Sequence, residues 1–102
     1  MGPCIVVGGV AIDDVQIETF VNGERRQNFN TRDMVFSFAE CVEFLSRDLT
    51  LEPGDVISGG TGAGTCGDSS PERFLQVGDV VEIRSPQIGV LRNRIVAKES
   101  VS

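Results

Sequence analysis

The sequence contains no histidine. That absence removes Ser-His-Asp and Cys-His nucleophilic chemistry, and most zinc chemistry, from anything these residues could do unaided. Cysteine is scarce. Cys4, Cys41 and Cys66 stand far apart with no C-x-x-C spacing, which argues against a disulfide framework and for a reducing compartment. Basic residues are outnumbered, 9 Lys and Arg against 15 Asp and Glu, for a net charge of -6. Nucleic-acid binding draws its affinity from clustered Lys and Arg, so no nucleic-acid partner is expected. Arg92, Arg94 and Lys98 read as a solvated strand edge. No apolar run approaches the roughly 18 residues of a membrane-crossing helix. The amino terminus also lacks the basic stretch and apolar centre of a signal peptide. No membrane partner is expected, and the expected location is cytoplasmic.

What is present is an ordinary globular composition, 40% apolar and 24% charged over 102 residues, enough for a single domain at the small end of the range. A chain of this size buries roughly 60–70% of its unfolded surface when it folds alone.

Cys4 to Val7 is a short apolar run that suits a buried strand. Val15, Ile17, Thr19 and Val21 alternate with Gln16, Glu18 and Phe20, the period-two pattern of a half-buried strand. Asn22-Gly23 follows, and this dipeptide accepts positive φ at both central positions of a hairpin turn, so Glu24 to Asn28 is predicted to return antiparallel. A helix is predicted to begin at Asn30 or Thr31. With Asn30 as N-cap, Asp33 stands at N3 and favours the helix dipole. Met34, Val35, Phe38, Cys41, Val42 and Leu45 then form one apolar stripe, worth about 10 kcal/mol if fully buried. Cys41 on that stripe reads as a small buried hydrophobe. Phe36 and Phe44 fall off it. They read either as scattered surface aromatics or as a second covered face, which a short chain would struggle to supply.

Pro53-Gly54-Asp55 turns the chain into Val56-Ile57-Ser58, and Gly78-Asp79 turns it into Val80 to Ile83, the same turn-into-strand chemistry used twice. Two further short strands, Ile88–Leu91 and Arg94–Ala97, flank Arg92-Asn93, while 69–72 reads as a surface loop and the last residues as frayed. The elements sum to a mainly β fold with one amphipathic α-helix (α+β).

Chemistry is expected in Gly59-Gly60-Thr61-Gly62-Ala63-Gly64-Thr65-Cys66-Gly67. Gly62 to Gly67 spells G-x-G-x-x-G, but Asp68-Ser69-Ser70-Pro71 follows where a dinucleotide site needs a helix N-terminus. The loop has no lysine, which excludes a P-loop. Successive glycines leave N–H groups able to converge on an anion, and Thr61 adds a hydroxyl. The plainer reading is a surface loop whose glycines serve only to turn the chain. Cys66 is expected to be an unactivated thiol, since no histidine can activate it.

The order of these pieces resembles the carboxy-terminal part of the fumarylacetoacetate hydrolase family. Its members read V-N-G-E-x-x-Q (here Val21 to Gln27), N-T-x-x-M-x-F (Asn30 to Phe36), L-x-P-G-D-x-I (Leu51 to Ile57) and then a T-G-T-P-x-G loop. The resemblance implies part of that family's mixed β-sandwich roll, with the loop closing over a small keto-acid substrate. Thr61 matches the second threonine of T-G-T-P and is the one side chain carried over as substrate-binding. Gly59 replaces the first threonine and Gly62 the proline, so Gly59 and Gly60 are carried over as backbone only. The resemblance also implies Mg2+ or Mn2+, held by an E-x-E pair and an aspartate upstream of the matched region, as well as a homodimer. Met1-Gly2-Pro3 looks like the P-M-G-P segment with what precedes it missing.

Within the chain, Asp13-Asp14 diverge on an extended backbone, Glu24 with Arg25 and Asp33 with nearby arginines read as surface charge, and Glu40 and Glu43 form a solvated helix face. No metal ligands and no catalytic residues are assigned here. The expectation is a single partial domain, 1–102. It would form the carboxy-terminal half of a metal-dependent enzyme for β-diketo or α-keto acids, either a C–C hydrolase or an enol isomerase such as hydroxyheptadienedioate isomerase. Its partner would be the missing amino-terminal half of the domain. The alternative is a non-catalytic β module that binds a small anion or a protein partner.

Overall fold

The computed structural model describes residues 1–66 and 74–99. The hairpin forms as the Asn22-Gly23 pair dictates. β1 (Gln16–Val21) and β2 (Glu24–Asn30) are joined by Asn22 at φ 50° and Gly23 at φ 82°, the mirror-image turn whose twist suits paired strands. β3 (Val80–Ser85) pairs antiparallel with β1, and β4 (Gly89–Arg94) with β3, giving the sheet order β2-β1-β3-β4.

Register sorts the side chains by face. Ile17, Thr19 and Val21 share one face with Val81, Ile83 and Leu91, while Glu18 and Phe20 share the other with Glu82 and Arg84. The second face is polar. Arg84 stacks over Phe20 at 4.1 Å, and Glu82 pairs with Arg84 and Arg92. β2 carries a bulge, with Thr19 opposite Gln27 and Phe20 opposite Arg25, so that Arg26 is the extra residue.

The helix starts later than its periodicity predicts. α1 runs Phe38–Ser46 and is capped by Ser37, whose hydroxyl accepts from Glu40 N while Glu40 Oε2 accepts from Ser37 N at 2.7 Å. This reciprocal box satisfies two orphan donors and fixes the start. Asn30 is a cap, but of a single 3-10 turn, Thr31–Asp33, with its side chain tied by Nδ2 to Asp14 Oδ1. The apolar period cannot separate the two starts, since Phe38, Cys41, Val42 and Leu45 stay in phase in either.

Four predicted strands also differ. Cys4–Val7 and Val56–Ser58 form no strand, because a buried strand needs ladder partners and the described residues offer these segments none. Ile88–Leu91 and Arg94–Ala97 are replaced by the single β4, which continues through Arg92-Asn93 opposite β3. The two Gly-Asp turns do match: Asp55 Oδ2 accepts from Glu52 N and Asp79 Oδ2 from Gln76 N, both at 2.8 Å. Gly54 and Gly78 take positive φ in them. Only the second turn leads into a strand. The predicted loop at 69–72 and the frayed end from 100 lie outside the described residues.

The core is thin. Val15 and Val21 are the buried hydrophobic residues among those described, and no residue of α1 is buried. The chain of 11.0 kDa exposes 7953 Å², where a compact monomer of that mass exposes about 5,600 Å². Its radius of gyration is 16.2 Å, against about 12.8 Å for a compact domain of this length. Ile5, Val7, Val35, Phe36, Phe44 and Val56 are all largely exposed.

Candidate functional site

The apolar face of the sheet, the 3-10 turn and the start of α1 enclose a cleft of about 470 Å³. Ile17 and Phe29 form its floor, Met34, Phe38 and Cys41 form one wall, and Ser58 to Gly62 form the other. Gly59, Gly60 and Thr61, the three residues singled out in the sequence, come together at this wall. Cys41 is half-buried there rather than buried.

The glycines have separate reasons. A Cβ on Gly59 would stand 2.9 Å from both Met34 Cε and Phe38 Cε1, and one on Gly62 would stand 2.5 Å from the Phe29 ring. On Gly64, at φ 98°, it would stand 2.0 Å from Arg26 O. Gly60 meets open space and is required by its φ of 89°. The loop is therefore packed closely along β2, its glycines serving this approach as well as the turns.

Gln27 secures the same loop. Its Nε2 donates to Gly62 O at 2.8 Å and to Thr61 Oγ1 at 3.0 Å. Reasoning from the sequence gave Gln27 no role, although it closes the V-N-G-E-x-x-Q motif and that position was the available signal. Thr61 itself is exposed at the cleft.

Asp33 is the one charged residue among those lining the cleft. A substrate anion bound here would meet its carboxylate and no compensating cation from the described residues. Nor do these residues fit a magnesium or manganese cage: among them no group of three or more His, Cys, Asp or Glu is placed to hold a metal ion, and such ions take several oxygen ligands. Glu43 pairs with Arg47 at 2.8 Å on a solvated helix face, Asp14 with Arg32, and Arg25 with Glu18. Glu24 pairs with Arg26, not with the adjacent Arg25. Among the described residues no helix is long and apolar enough to cross a membrane.

The bulged edge strand of an antiparallel sheet thus holds a glycine loop beside an apolar cleft. Residues 1–96 match the family described as fumarylacetoacetate (FAA) hydrolase C-terminal, and the chain belongs to that family. Oxaloacetate tautomerase YisK of Bacillus subtilis is 42% identical over 98 residues, covering 93% of this chain and 32% of the relative. The solved fumarylacetoacetate hydrolase of Exiguobacterium antarcticum superposes with a TM-score of 0.82 at 40% identity, over 87% of this chain and 32% of that one. A 5-carboxymethyl-2-hydroxymuconate delta-isomerase from Mycobacterium smegmatis gives 0.78 at 35% identity, over 93% and 35%. The chain spans about a third of the length of the curated relatives it matches.

Proposed function

We propose that this chain is the carboxy-terminal part of a metal-dependent enzyme acting on β-diketo or α-keto acids, by hydrolytic C–C cleavage or by enol isomerisation. It supplies the substrate-facing loop and the sheet that holds it. The observation that carries this reading is the loop itself: packed on β2, with the Thr61 hydroxyl exposed at the mouth of an apolar cleft. Both reactions pass through an enolate, and a fixed donor beside the oxygen that gains charge stabilises that species. Relatives named as a hydrolase, an isomerase and a tautomerase share this part of the chain. A divalent cation, when bound, would polarise a carbonyl oxygen, with ligands supplied from beyond the described residues.

The excess surface supports a partial domain over a self-contained binding module. Ile5, Val7 and Phe36 would be covered by the upstream half of the domain, with assembly as a homodimer. The test is acylpyruvate hydrolysis and oxaloacetate enol–keto exchange, with Mg2+, by a polypeptide confined to these residues and by the same residues joined to their upstream half. Turnover is expected only from the second. Magnesium-dependent turnover by the first would overturn the proposal.

A further inference from the structure

We propose that Gln27 is a positioning residue which turns the Thr61 hydroxyl into a hydrogen-bond donor toward the bound ligand; this rests on reading Thr61 as a substrate contact. Gly62 O lies 2.8 Å from Gln27 Nε2. A carbonyl oxygen only accepts, so the side of the amide turned to it must be the NH2 group. The second N–H of that group then goes to Thr61 Oγ1 at 3.0 Å. A hydroxyl oxygen that accepts from an amide keeps its own proton for another partner. Thr61 is exposed and makes no other hydrogen bond within the described structure. Its proton is therefore available at the cleft mouth for an oxygen with a free lone pair, such as a carboxylate, keto or enolate oxygen.

The backbone builds this arrangement deliberately. In a regular strand Arg25 and Gln27, two apart, would share a face. The extra residue Arg26 places Arg25 opposite Phe20 and Gln27 opposite Thr19, so the two side chains leave on opposite faces. Arg25 reaches Glu18 on the polar face, and Gln27 reaches the loop. Gly64 then packs against the carbonyl of the bulged Arg26 itself. The bulge, the glycine and the glutamine act on one object, the height and orientation of Thr61.

The test measures pyruvate affinity by calorimetry, with Mg2+ present, on the protein at its full encoded length. The variants are Gln27→Met, Thr61→Val, the two combined, and Thr61→Ser. Gln27→Met and Thr61→Val are each expected to weaken binding about tenfold, the scale of one hydrogen bond to a charged oxygen. The combined variant is expected to bind no more weakly than Thr61→Val alone, because Gln27 acts through Thr61. Thr61→Ser, which keeps the hydroxyl, retains affinity. Should Gln27→Met fail to fold, Gln27→Glu keeps the length but accepts where glutamine donates, and its loss is expected to be at least as large. Wild-type affinity in the Gln27 variants, or losses that multiply in the combined variant, would overturn the positioning role while leaving Thr61 in place. Wild-type affinity in Thr61→Val would instead remove the substrate contact, and the proposal with it.

Discussion

Asn22 and Asp79, 57 residues apart, hold each other at the end of the sheet: Asn22 Nδ2 donates to Asp79 Oδ1 at 2.9 Å. Asn22 Oδ1 in turn accepts from Val80 N, and Asn22 N donates to Val80 O, both at 2.9 Å. The residue that closes the first hairpin thereby docks the turn that starts β3. One side chain serves local turn chemistry and long-range assembly together.

Asn22→Gly keeps the positive φ of 50° and removes only the side-chain bonds. It is expected to cost about 1–2 kcal/mol, read by urea unfolding. Asn22→Ala adds the left-handed backbone penalty of roughly 1 kcal/mol. Equal stability of the two variants would show that the left-handed conformation costs alanine no more than glycine at this turn.

The hydrogen bond from Gln76 N, then that from Asn22, hold the Asp79 carboxyl below the usual carboxylate range. A depressed folded pKa means stability that is present above the unfolded value, near 3.9, and lost as pH falls through the lower folded value. Asp79→Asn should therefore flatten the acid limb of the stability–pH curve below about pH 4 and change its shape little near neutrality. A curve with an unaltered acid limb would assign that limb to other carboxylates.

Alanine at the loop glycines separates space from backbone angle. Gly60→Ala meets open space and carries only its φ penalty, about 1 kcal/mol. Gly64→Ala would push a methyl against Arg26 O, and is expected to cost more than about 2 kcal/mol or to lift the loop from β2. Thermal unfolding ranks them. Similar costs would mean that the loop does not sit on the bulge.

Phe38→Ala distinguishes the uncovered chain from the completed domain. Half-buried here, the ring should contribute about 1–2 kcal/mol. If upstream residues cover α1, the same change approaches the roughly 3–5 kcal/mol of a fully buried phenylalanine. A cost that does not depend on the upstream half would count against that covering.

Much of the fold was legible from local rules. Asn22-Gly23 fixes its turn because few other pairs accept φ > 0 twice, and the alternation from Val15 to Val21 fixes β1. The Gly-Asp turns recur because each aspartate reaches back three residues to a backbone N–H. Reading Asn30 as the α-helix cap failed because helical period is blind to phase, while Ser37 and Glu40 offered a stronger cap seven residues on. Cys4–Val7 and Val56–Ser58 have strand composition without strand neighbours.

The candidate wall divides the same way. Glycine content and the family motifs placed Gly59, Gly60 and Thr61, since a backbone that must bend or approach closely leaves its mark in residue type. The part played by Gln27 depended on the bulge at Arg26, a register shift between strands with no signature in either one. Composition and local pattern determined the tight turns and the first hairpin, because those choices rest on neighbours in the chain. Only the tertiary structure decided which face Gln27 takes and how much apolar surface stays uncovered, because both depend on what lies across the sheet.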